Sequence, residues 1–208
     1  MANQCADAIR AARKAASSAD DLRAFEAEVA RRFEAGEIHA PVHLSGGNEE
    51  RLIQVFESVG PDDWVFCSYR NHWHALLKGV PREAVMSAIL AGRSMTMCFP
   101  EHRFFSSAIV TGHVPIAVGV ACGLKRSDSD ARVWCFVGDM AAETGIFHEA
   151  VKYAEGHGLP IQFVIEDNGL SAHSPTAACW GRGDGNCVES YRYELPWPHV
   201  NTGKWVNF

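Results

Sequence analysis

The chain has no excess of positive charge: 19 Lys and Arg stand against 25 Asp and Glu in 208 residues, a net charge of −6. That argues against a duplex-wide nucleic-acid surface or a basic membrane patch, because both need clustered cations. No apolar run is long enough to cross a bilayer. Ile109 to Val120 comes closest, and Gly112, His113, Pro115 and Gly119 break it. The first residues contain no apolar export segment, and the seven cysteines are odd in number and never fall in a C-x-x-C pair. Reduced thiols in a cytoplasmic protein fit that pattern. Also missing are internal repeats, linkers, low-complexity segments, a His-Cys metal spacing and a Ser-His-Asp order.

With 47% hydrophobic and 21% charged residues, the composition is that of one compact domain over residues 1–208. A chain of this length buries roughly 70% of its unfolded surface, so a core forms without a metal or disulfide staple. Leu22, Phe25, Val29 and Phe33 step by three and four, which predicts an amphipathic helix over Asp20 to Glu37. Leu52, Val55 and Phe56 predict another over Asn48 to Ser58, stopped at Gly60-Pro61; Val80 to Ala91 and Pro115 to Lys125 read as two more. Asp63 to Cys67 reads as a short buried strand.

Arg132 to Val137 is a continuous apolar run, followed by a helical pattern through Phe147, Val151 and Ala154, and then a second apolar run from Pro160 to Ile165. Strand, helix, strand with continuous apolar strands predicts an α/β fold: a parallel sheet with helices on both faces. Ligands gather at the carboxyl ends of such strands, where Gly138-Asp139 and Glu166-Asp167-Asn168-Gly169 fall. Residues 176–208 read as an irregular tail with aromatic anchors. Gly183-Asp184-Gly185-Asn186 copies the same letters, but with no apolar strand before it reads as a plain loop.

Asp139 and Asn168 lie about thirty residues apart, each just past a strand, so two neighbouring parallel strands bring them together. A hard cation such as Mg²⁺ takes oxygen ligands and keeps substrate phosphate oxygens among them. The Asp139 carboxylate, the Asn168 amide and the Leu170 carbonyl form a candidate metal set. The alternative is local: Asp139 caps the following helix and Asn168-Gly169 makes a tight turn.

Gly-Asp, about thirty residues, then Asn-Gly between two apolar strands resembles the thiamine diphosphate motif of 2-oxo acid dehydrogenase alpha subunits and transketolases. His43-Leu-Ser-Gly-Gly47-Asn-Glu49, Tyr69-Arg70-Asn-His72, Gly92-Arg-Ser-Met95, Ile109-Val110 and Val114-Pro115 recur in the order of the dehydrogenase alpha subunits. The resemblance runs over residues 20–175. Asp167 to Ser171 and Gly145 to Glu149 are similar to transketolase.

The resemblance implies a thiamine diphosphate and Mg²⁺ domain that acts on a small 2-oxo acid by decarboxylation and acyl transfer. It implies a separate beta subunit holding the aminopyrimidine half of the cofactor, in a heterotetramer. By the same resemblance Tyr69 and Arg70 contact the diphosphate, and an arginine fork suits phosphate oxygens. Ala108 and Val110 lie against the cofactor, and Gly138, Asp139, Met140 and Ala141 form the loop under the diphosphate, with Asn168 and Leu170 opposite. His43, His72 and His113 fall near the reacting end as catalytic candidates. His74, His102, His148 and His157 read as surface or cap residues, and His173 or His199 as the stand-in for a cofactor-contacting histidine loop.

Met140 stands where the family has glycine. Two other functions stay open: the N-terminal half of a split transketolase, and a non-catalytic regulatory subunit.

Overall fold

The computed structural model describes residues 18–181 and 188–206; Gly183 to Asn186, Cys5 and Cys187 lie outside them. The helices are α1 (Ala19–Glu34), α2 (Glu49–Glu57), α3 (His72–Leu77), α4 (Arg82–Leu90), α5 (His113–Arg126), α6 (Asp139–Ala142), α7 (Gly145–Gly156) and α8 (Thr176–Trp180). The strands are β1 (Trp64–Cys67), β2 (Cys98–Phe99), β3 (Phe104–Ser106), β4 (Val133–Gly138), β5 (Ile161–Asp167), β6 (Leu170–Ser171), β7 (Ser174–Pro175) and β8 (Glu189–Arg192). Six form one sheet in the order β2-β3-β1-β4-β5-β8, and β6 and β7 form a separate hairpin.

All neighbours in the large sheet are parallel except β2, which pairs antiparallel with β3 at the edge. The expected parallel sheet is present, with a single reversed strand at its edge. From β1 the chain passes to β3 on one side, then crosses through α5 to β4 on the other. A crevice opens at such a reversal, outside the carboxyl ends of the strands.

The apolar strands are explained by two cores, one on each face. Trp134 and Phe136 of β4 join Val65, Val164 and the buried stripe of α1 (Leu22, Phe25, Val29, Phe33) together with α2, α3 and α4. Val133, Cys135 and Val137 of the same strand face the other way and pack with Phe66, Phe163, α5 and α7. Side chains alternate along a strand, so a sheet covered on both faces must be apolar at every position. Ser18 caps α1 by accepting from the Asp21 N–H at 3.1 Å, and Thr144 caps α7 by accepting from Phe147 at 3.4 Å.

The tail is more regular than its composition suggests. Its β8 pairs with β5 from Val164↔Glu189 to Asp167↔Arg192, and it then runs back over the turn after Leu44. Asn201 exchanges two hydrogen bonds with Val42, at 2.8 and 3.1 Å. Gly47 lies at φ +85°, and a Cβ there would stand 1.8 Å from the Glu194 carbonyl oxygen; one on Gly46 would stand 2.7 Å from the Pro196 ring. The Gly-Gly pair thus lets the tail lie on this turn.

Gly47→Ala should lower folding stability by about 2 kcal/mol or more, from strain and displacement of the tail. The check is a drop in the urea midpoint, accompanied by faster proteolysis within 188–206.

Candidate functional site

β4 and β5 run parallel up to the pair Gly138↔Glu166, so Asp139, the first residue past β4, stands beside Asp167, the last residue of β5. Asp139 turns into α6 with its side chain buried. After Asp167 the chain makes a double side-chain turn: Gly169 N–H donates to the Asp167 carboxylate at 2.8 Å, and Leu170 N–H to Asn168 Oδ1 at 3.0 Å. The local tight turn read from Asn168-Gly169 is present, and it leaves one lone pair of the Asn168 oxygen for another partner.

These strand ends form the floor of a cleft of about 980 Å³, including the open space at its mouth. Ser68, Tyr69 and Arg70 after β1, Val110 after β3, Gly138 to Ala141 at the end of β4, and Glu166, Asn168, Leu170, Ser171 and Ala172 around the end of β5 line it. Tyr193, Leu195, Trp197 and His199 of the tail close the remaining side. Nine of the ten residues expected at the cofactor therefore share one cavity; Ala108 stands on the Val110 loop but does not line it.

The cleft is acidic at its floor. Burial pushes the Asp139 carboxyl above the usual range and the neighbouring Asp167 charge adds to that, while a hydrogen bond donated by Thr176 Oγ1 works the other way. The Glu166 carboxyl is largely buried. Burial pushes it up, but His74, the Tyr191 hydroxyl and the Arg70 charge outweigh this and hold it below the usual range. Tyr191 O–H donates to Glu166 Oε1 at 2.6 Å and Asn48 Nδ2 donates to the same oxygen at 3.0 Å. His74 Nε2 stands 3.3 Å from Oε2, close enough to attract but without hydrogen-bond alignment.

Arg70 is the one cationic side chain among the described lining residues. Its Nε donates to the Leu44 carbonyl at 3.0 Å and one terminal nitrogen to the His199 carbonyl at 3.3 Å, which leaves the rest of its donor fork unassigned. Oxygen donors and an excess of carboxylate over guanidinium are the chemistry of a hard cation bridged to an anion. Among the described residues no group of three or more His, Cys, Asp or Glu is placed to hold a metal, so a cation here would rest on the single Asp139 carboxylate, the Asn168 amide, the Leu170 carbonyl and oxygens from its ligand.

The three catalytic histidines fare differently. His43 is buried behind the cleft wall, its ring 4.4 Å from that of Tyr69 and 5.2 Å from that of His199, with Nδ1 lacking a protein partner. Burial, with the charge of Arg70, pushes it down to about 3. His72 is wholly buried away from the cleft: Nδ1 faces Glu26 at 3.0 Å and Nε2 faces Ser94 Oγ at 2.8 Å. His113 lies at the start of α5 and donates Nε2–H to the Phe136 carbonyl at 2.8 Å, and burial lowers it to about 4.

Of the two stand-in histidines, the structure brings His199 and not His173 to the cleft. His148 and His157 are exposed as expected, but His74 is buried. Sequence reasoning missed Glu166, His74, Tyr191, Tyr193, Leu195 and Trp197. Glu166 carried a signal in its position at the end of β5, whereas the tail residues carried none.

His43 gives a pH test. Its folded value of about 3 lies below the ordinary 6.5, so the stability it contributes is present above about 6.5 and is lost as pH falls toward 3, where the unfolded chain binds a proton that the folded one refuses. His43→Phe should flatten the decline of the urea midpoint between pH 6.5 and 4 without changing its slope above pH 7.

Comparison with known proteins agrees with this geometry. The family described as dehydrogenase E1 component matches residues 17–180. A chloroplastic pyruvate dehydrogenase E1 component subunit alpha-3 from Arabidopsis thaliana is 33% identical over 162 residues, covering 70% of this chain and 38% of the relative. The pyruvate dehydrogenase E1 alpha subunit of Porphyra purpurea is 32% identical over 163 residues, covering 70% and 47%. The alpha subunit of an acetoin:2,6-dichlorophenolindophenol oxidoreductase from Bacillus subtilis is 28% identical over 166 residues, covering 74% and 50%. The chain spans about half the length of these relatives or less. With the matched region taking in both strand ends and every residue of the cleft except the tail wall, the chain belongs to the dehydrogenase E1 component family.

Proposed function

We propose that this chain binds the diphosphate and Mg²⁺ of thiamine diphosphate in the cleft, as the alpha subunit of a two-subunit oxidoreductase that decarboxylates a small 2-oxo acid and passes on the acyl group. The carrying observation is the side-by-side exit of Asp139 and Asn168 from paired strands, beneath a single arginine, in a chain of this family.

Asp139, Asn168 Oδ1 and the Leu170 carbonyl would hold the cation, and Tyr69 with the free donors of Arg70 would hold the diphosphate. Gly138, Met140 and Ala141 would lie under it, Val110 against it, and Ala108 behind Val110. The bound cofactor supplies a carbanion and an electron sink; the protein supplies binding, orientation and exclusion of water. His43, neutral at physiological pH because burial disfavours its charge, keeps Tyr69 in place and offers a ring nitrogen as a hydrogen-bond acceptor. His72 and His113, with partners in the core, orient α3 and α5 around the cleft.

A beta subunit would hold the aminopyrimidine end, giving a heterotetramer, as the words "subunit alpha" in the relatives' names support. No helix among the described residues is long and apolar enough to cross a membrane, and we place the enzyme in the cytoplasm. The relatives favour the dehydrogenase reading over a split transketolase.

Calorimetry should detect thiamine diphosphate binding that requires Mg²⁺, and Asp139→Ala should abolish it while leaving the ligand-free melting temperature unchanged or higher. A lower melting temperature with unchanged binding would mean that Asp139 only starts a helix.

Met140 decides the regulatory alternative. Its sulfur accepts from the Trp180 indole N–H at 3.2 Å, which holds the flexible side chain at the wall. Met140→Gly should therefore change cofactor affinity by less than about tenfold, roughly 1.4 kcal/mol. A larger gain would identify methionine as a block.

A further inference from the structure

The sheet stops aligning the two halves of the cation site at Gly138 and Glu166. Beyond that pair the chains part: Asp139 enters α6, whereas Asn168, Gly169 and Leu170 lead into the β6–β7 hairpin. A hard cation needs its oxygens held in a fixed arrangement, so another contact must set Asp139 relative to the Asn168 turn.

Thr176 makes that contact. The hairpin, paired Leu170↔Pro175 and Ser171↔Ser174, returns the chain so that Thr176 is buried between the two strand ends. Its hydroxyl donates to Asp139 Oδ2, and its backbone N–H donates to the Gly169 carbonyl at 3.1 Å. An ionised carboxylate only accepts, so the threonine proton points at Oδ2 and the charged partner strengthens the bond. Oδ1 takes no side-chain hydrogen bond among the described residues, and the carboxylate keeps lone pairs there for a cation. One turn further along α8, Trp180 bonds Met140; residues four apart share a helix face, so one face of α8 grips two consecutive residues of the loop.

We propose that Thr176 is a positioning residue of the cation site, tying the Asp139 carboxylate to the Asn168–Leu170 turn and selecting the carboxylate oxygen that meets the metal. This rests on the cation-site reading given under the proposed function.

The test uses Mn²⁺ as the probe, titrated into the purified chain with thiamine diphosphate present, the free ion being counted by electron paramagnetic resonance. Thr176→Val, which keeps the shape and removes the donor, should weaken Mn²⁺ binding about tenfold or more. Thr176→Ser should restore it to within about threefold of wild type. Thr176→Ala is run in parallel so that the result does not depend on how valine packs, and ligand-free melting temperatures record any loss of fold. A serine rescue without a matching change in melting temperature supports positioning, because a purely structural role would move both together.

If wild type binds Mn²⁺, Asp139→Ala does not, and the valine and alanine variants bind as well as wild type or better, the role of Thr176 is overturned while the cation site stands. If wild type itself takes up no Mn²⁺, the cation site falls and the role of Thr176 with it.

Discussion

Six consecutive residue pairs between β4 and β5, ending at Gly138 opposite Glu166, set the position of everything in the cleft. A parallel pair carries its strand ends in the same direction, so whatever follows each strand emerges on the same edge of the sheet. The covering helices hold that register by burying opposite faces of β4 in two separate cores. A slip of one residue would turn Phe136 and Cys135 toward the wrong cores and separate Asp139 from the Asn168 turn.

With the floor fixed, the walls are a matter of satisfying buried polar groups. Glu166 is a carboxylate enclosed at the back of the cleft, a costly arrangement unless it is paired. Tyr191 from the tail and Asn48 from the start of α2 bond it, and His74 stands close by. Those bonds also join the tail to the front of the molecule. Arg70 works in the same way, spanning the Leu44 and His199 carbonyls, so the guanidinium offered to a phosphate is already held by both sides of the cleft. Preorganised donors lose less freedom on binding than mobile ones.

The histidines show how burial sorts groups of one chemical type. His72 sits between Glu26 and Ser94 with both ring nitrogens partnered, and His113 spends its proton on a strand carbonyl. His72 is a satisfied core group, whereas His113 keeps its Nδ1 without a protein partner inside the core. His43 also has an orphan nitrogen, but beside two rings that line the cleft. Motif position alone does not separate these cases, because all three fall in segments shared with the family.

The sequence by itself determined the layered α/β architecture, since only strands buried on both faces read as Val133-Trp-Cys-Phe-Val137 does, and the helical stripe of Leu22, Phe25, Val29 and Phe33 has one period. It also determined that Asp139 and Asn168 follow such strands, and through the family resemblance nine of the residues that line the cleft. Tertiary structure alone decided the rest. The reversed edge strand β2 is two residues long, too short to show a period. The tail strand β8 is exposed along much of its length, so it carries no apolar pattern; its place comes from backbone pairing with β5, and its fit from two glycines more than a hundred residues earlier. Thr176 and Trp180 meet Asp139 and Met140 only because a hairpin turns the chain back on itself, a contact between residues about forty apart that no local spacing records.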